Sequence, residues 1–187
     1  MITFYKGNEK TGIIEMKEAT ENIWINIIDP TEKEIEIIKK LGIPLDFITY
    51  SLDLDERPRT EKEDDGTTLI LIKIPLFEGD NLDVPYTTIP LGIIFNDKLV
   101  ITICKRHNAI LDELLRSKYK GFSIAKRIRF ILRILLLTAT MFLTFLRNIN
   151  IHVEHVENKL QASMQNKEVM ELLKYQKSLV YFETALK

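Results

Sequence analysis

Between Ser123 and about Ser163, Ala125, Ile128, Leu132, Leu135, Ala139, Phe142, Leu146, Ile149, Val153, Val156 and Leu160 recur at alternating steps of three and four. No Pro or Gly interrupts them. That period keeps one face of a helix apolar from end to end, over about 60 Å at 1.5 Å per residue. A single globular body of 187 residues is shorter than that. The helix is therefore expected to project, or to pack against other copies. Its middle, Ile134 to Leu146, is apolar all round, which calls for a second partner surface. Arg133 and Arg147 bound that stretch. It falls short of the roughly 20 apolar residues of a membrane span, so it reads as a buried helix. A last helix follows, capped by Asn166, with Leu172, Tyr175, Leu179, Phe182 and Leu186 on one face. This pattern is still running at Lys187, and the expectation is that the chain is the N-terminal piece of something longer.

The first two thirds carry a different rhythm. Ile2–Tyr5, Gly12–Met16 and Trp24–Ile28 read as short strands, the third bounded by Asp29-Pro30. Asp29 or Thr31 then caps a helix with Glu32 and Glu34 in its first turn, stopping at Gly42. Pro44 opens a second helix to about Leu52, with Phe47 and Ile48 facing the core. The stretch from Asp53 to Gly66 is a polar loop. Thr67–Pro75, Thr87–Phe95 and Lys98–Cys104 follow as strands, the last two joined by an Asn96-Asp97 hairpin signal. A short helix carries Ile110, Leu111, Leu114 and Leu115 and ends near Gly121. Strands first and helices afterwards predict an α+β, three-layer (α/β/α) fold. Its central sheet is largely antiparallel and flanked by helices, and long stalk-type helices follow. The division expected is an α/β domain over 1–121 and long helices over 122–187.

Composition excludes more than it assigns. Lys and Arg number 26 against 27 Asp and Glu, a net charge of −1, so the basic excess of a nucleic-acid binder is missing. The one cysteine, Cys104, lies in an apolar strand and reads as a buried thiol in a reducing cytosol. Seven scattered glycines form no phosphate cradle, and neither His-Glu-x-x-His nor Gly-x-Ser-x-Gly occurs. A metal-dependent hydrolase built on the acidic 53–65 loop would lack a base and a second cluster. The chain is expected not to be an enzyme. His107 reads as a surface residue before a helix. His152 and His155, three apart, can share a helix face, yet they supply two ligands where a stable site wants three or four.

Five motifs in order carry a resemblance. They are the Trp24-Ile25-Asn26-Ile27 strand, the helix at Thr31, the Pro44-Leu45 helix, the Arg57-Pro58-Arg59 turn and the Pro90-Leu91-Gly92-Ile93-Ile94 strand. Followed by the long apolar helix, they resemble the N-terminal cytosolic domain of CorA-type divalent-cation (magnesium) transporters. The resemblance implies a regulatory and assembly domain on the cytoplasmic side of the cell membrane, in a pentameric ion channel or transporter. It would reach the membrane only through a C-terminal region whose Gly-Met-Asn pore motif is absent from this sequence. It further implies regulatory Mg²⁺, or another divalent cation, bridging carboxylates of adjacent protomers and favouring the closed state. In better-known members one ligand comes from an acidic pair on the helix before the Arg-Pro turn. That pair falls here at Thr49-Tyr50, neither a carboxylate, which leaves Asp46 and Asp53 as the candidate metal ligands. The alternative is a free-standing soluble interaction protein that uses the same fold without a pore.

Overall fold

The computed structural model describes residues 1–8, 12–17, 22–116, 124–163 and 166–187. Seven strands, β1 (Ile2–Asn8), β2 (Gly12–Met16), β3 (Ile23–Ile28), β4 (Arg59–Lys62), β5 (Thr68–Phe77), β6 (Tyr86–Phe95) and β7 (Leu99–Cys104), form one sheet in the order β2-β1-β3-β7-β6-β5-β4. The helices are α1 (Glu32–Lys40), α2 (Leu45–Leu52), α3 (Ala109–Arg116), α4 (Arg127–Ser163) and α5 (Asn166–Leu186). The pairs β1–β2, β1–β3, β4–β5 and β6–β7 are antiparallel. At the centre β3 and β7 run parallel, Ile25 opposite Ile101 and Ile27 opposite Ile103. The strands buried on both sides, β3 and β7, are accordingly near-continuous apolar runs rather than alternating ones.

The chain clusters into two units. One comprises Met1–Lys73 and Ile89–Leu137. In it, Ile38 of α1 and Phe47 and Ile48 of α2 pack with Ile23, Ile25, Ile27, Ile101 and Ile103 of the sheet, all essentially fully buried. The opposite face of β3 carries Trp24, whose ring lies 5.2 Å from Phe130 of α4 and 4.8 Å from Tyr5. Helix, sheet and helix thus give the expected three layers. Each buried Ile or Phe contributes on the order of 1.5–3 kcal/mol, so these layers supply the main driving force of the unit.

Local signals start and stop its helices. Thr31 caps α1 in a full capping box: its hydroxyl accepts from the Glu34 N–H, and the Glu34 carboxylate accepts the Thr31 N–H at 2.9 Å. Of the two candidate caps, Asp29 instead takes a positive φ of 43° in the turn before it. Gly42, at φ 83°, ends α1 as the left-handed residue after its C-cap. On the sheet, Gly92 of β6 is buried against α2. A Cβ placed there would come 1.8 Å from Ser51 Oγ, so α2 sits at a depth only glycine permits.

The other unit comprises Ile74–Thr88 and Thr138–Lys187. Tyr86, Phe142, Ile149, Tyr175 and Phe182 form its core, with Phe145, Leu146, Val153 and Ala185 packed against them. The Phe142 and Phe182 rings meet edge to face at 5.0 Å and 86°, a contact worth about 0.5–1.5 kcal/mol beyond burial. Ser178 is fully buried on α5, and its Oγ accepts the Tyr86 N–H at 3.1 Å.

Three elements differ from the sequence reading. The polar 53–66 stretch contains β4, whose residues Arg-Thr-Glu-Lys show no apolar alternation. It is an edge strand, paired only to β5, where charge protects the free edge. The β6–β7 connection spans 96–98 rather than two residues. The Asn96 side chain organises it by accepting from the Lys98 and Leu99 N–H groups. The face of α4 also changes along its length. From Phe142 onward the buried residues Phe142, Ile149 and Val156 lie on the expected stripe. Before it, Phe130, Ile131, Ile134 and Thr138 are buried, whereas Ile128 and Leu132 are exposed. Arg127, Arg129 and Arg133 interrupt the apolar surface of that half, and Arg129 lies exposed on the same side as Ile128 and Leu132. The start of the helix expected at Ser123, the helix end at Gly121 and the 121/122 boundary lie outside the described residues.

Candidate functional site

The face of α2 that continues into the Arg-Pro turn holds the residues singled out for metal binding. Asp46 lies in its first turn and Asp53 is its C-cap, both exposed. Seven residues of helix separate them by about 10.5 Å along the axis. Side chains on one helix face lean the same way, so α2 presents them as two separate carboxylates rather than as a chelating pair. Asp53 is also turned to its own loop, its Oδ1 accepting the Asp55 N–H at 3.0 Å.

Between them, Thr49 donates its hydroxyl to the Asp46 carbonyl at 3.0 Å. The Arg59 guanidinium sits over the Tyr50 ring, 4.4 Å from its centroid. Arg59 also binds the carboxylates of Glu56 and Glu61. The Tyr50 ring is therefore covered by a protein cation held between two acids, while Thr49 stays exposed. A second internal cation lies close by. Lys73 of β5 donates to the Leu54 carbonyl, across 19 positions of sequence. Burial pushes its amine below the ordinary lysine value, while the charges of Asp55, Asp53 and Glu56 pull it back up. The acidic loop thus has resident counter-charges in Arg59 and Lys73. The Arg59–Tyr50 and Lys73–Leu54 contacts each join a strand to α2 or to the loop after it, so the sequence around Tyr50 or Asp53 does not signal them.

The three histidines are all exposed, His155 included. His152 Nδ1 lies 2.8 Å from the Asn148 carbonyl one turn back, and its ring stacks 5.6 Å from Tyr175. His107 is exposed and pairs with Asp112 at 3.1 Å, beside the Asn108 side chain that caps α3 by accepting the Leu111 N–H. Among the described residues no group of three or more His, Cys, Asp or Glu is placed to hold a metal ion. Any cation on this surface would then share its ligands with water or with another copy.

α4, at 37 residues, is long and apolar enough by length and composition to cross a membrane. The expectation that rested on a short apolar run measured only its middle. Comparison with known proteins bears on the point. The model of the CorA-like Mg2+ transporter protein family matches residues 19–187. The cobalt/magnesium transport protein CorA of Methanocaldococcus jannaschii is 34% identical over 169 residues, covering 88% of this chain and 51% of the relative. This chain thus spans about half the length of that curated relative. The structure of the soluble domain of CorA from the same organism is similar across 100% of this chain and 74% of that chain, with a TM-score of 0.83 at 29% identity. The complete structure of that organism's CorA magnesium transporter is similar over 100% of this chain and 59% of that chain, with a TM-score of 0.78 at 27% identity. α4 therefore has its counterpart within a soluble domain. The family match over nine tenths of the sequence and the whole-chain likeness of fold agree with the motif order: the chain belongs to the CorA-like Mg2+ transporter protein family.

Proposed function

We propose that this chain serves as the cytosolic regulatory and assembly domain of a CorA-type divalent-cation transporter, on the cytoplasmic side of the membrane and not as an enzyme. The observation that carries the reading is the match of the whole chain, α4 and α5 included, to the soluble domain of a CorA protein. Magnesium is the cation the family points to, with cobalt named alongside it for the relative. In this reading the α/β part over 1–121 assembles with its neighbours in a pentameric ring. The helical part over 122–187 passes movement on toward a pore carried elsewhere.

Asp46 and Asp53 are the proposed ligands, each giving one side of a carboxylate bridge completed by water and an adjacent protomer. Their exposure and their separation on α2 support this division of labour. Mg²⁺ bound between like charges would favour the assembled state and its loss would loosen it, because the ion binds that state better. The resident cations Arg59 and Lys73 predict that such binding is weak, in the millimolar range.

Isothermal titration of the 187-residue protein with Mg²⁺, alongside its solution mass by light scattering, tests the reading. Saturable heat that Asp46→Asn or Asp53→Asn abolishes, together with a magnesium-dependent rise in mass, supports it. Heats of dilution alone with an unchanged mass would remove the metal-linked part.

A further inference from the structure

We draw no further inference here: the strongest candidate, the exposed apolar stripe of Ile128, Leu132, Leu143 and Ile151 along α4, is an exposed helix face, and nothing in the structure shows whether a second copy, a further segment or another partner covers it.

Discussion

The Trp24 indole N–H donates to Thr102 Oγ1 at 2.8 Å, although 78 positions separate the two residues. The hydroxyl in turn donates to Asn26 Oδ1 at 2.9 Å. Both bonds cross the parallel β3–β7 seam, where the three N-terminal strands join the rest of the sheet. Thr102 is fully buried and Asn26 nearly so, so no water competes for these groups. Replacing Thr102 by Val keeps the shape and leaves the indole N–H and the amide oxygen without their partner. We expect a loss of about 1–3 kcal/mol in urea unfolding. A midpoint unchanged from the parent would mean that the chain of bonds contributes nothing net.

Gly92 and Ser51 make a second test of the same unit. Gly92→Ala places a methyl 1.8 Å from Ser51 Oγ and 2.6 Å from its Cβ. Ser51 is buried, with its hydroxyl donating to the Phe47 carbonyl at 2.6 Å, so it has little room to turn away. α2 must lift from the sheet, at a cost of roughly 1–3 kcal/mol or more. The double variant Gly92→Ala, Ser51→Gly is expected to recover part of this, a non-additivity read from the two single variants. Equal losses in the single and double variants would refute the close approach as the cause.

The capping box of α1 gives the protein an acid-side slope in stability. The Thr31 N–H holds the Glu34 carboxyl below its ordinary value; burial opposes it, and the Met1 amino group and the Thr31 hydroxyl add to the lowering. The folded state thus releases this proton more readily than the unfolded chain. The contribution is complete above the unfolded carboxylate range, about pH 4, and is lost as pH falls through the lower folded value. Glu34→Gln should flatten the dependence of unfolding free energy on pH in that window and leave the slope near neutrality as it was. Identical slopes in both proteins would exclude Glu34 as its source.

Cys104 is expected to be silent toward thiol reagents. Burial pushes its thiol above the ordinary cysteine value, against weaker lowering by neighbours led by the Arg106 backbone. Its Sγ donates to the Pro90 carbonyl at 3.3 Å, inside the sheet. Labelling with a maleimide should therefore follow unfolding, slow in buffer and complete in urea. Rapid labelling of the native protein would show that β7 opens locally.

The site was less legible than the fold. Asp46 and Asp53 are proposed on residue type and on their place beside the Arg-Pro turn. Their geometry as two separate carboxylates follows from helix pitch and could be read in advance. The Arg59–Tyr50 stack and the Lys73 bond to Leu54 could not, because each joins residues on different elements. β4 was missed for a related reason. A strand made of Arg, Thr, Glu and Lys carries no apolar period, and only its ladder to β5 defines it.

By itself the sequence determined the elements whose cause is local. Thr31 with Glu34 started α1, Gly42 stopped it, Pro44 opened α2, and the three-four spacing made α4 and α5 helical. Those effects act within one or two turns, so they are written in consecutive residues. Tertiary structure alone decided the parallel joining of β3 to β7, the depth of α2 over Gly92, and the turning of Ile131 and Ile134 rather than Ile128 and Leu132 toward the interior. This half of α4 carries apolar residues on more than one side, so the three-four spacing alone does not choose the buried face. The exposed Arg129 and the shape of the surface the helix meets separate the outcomes.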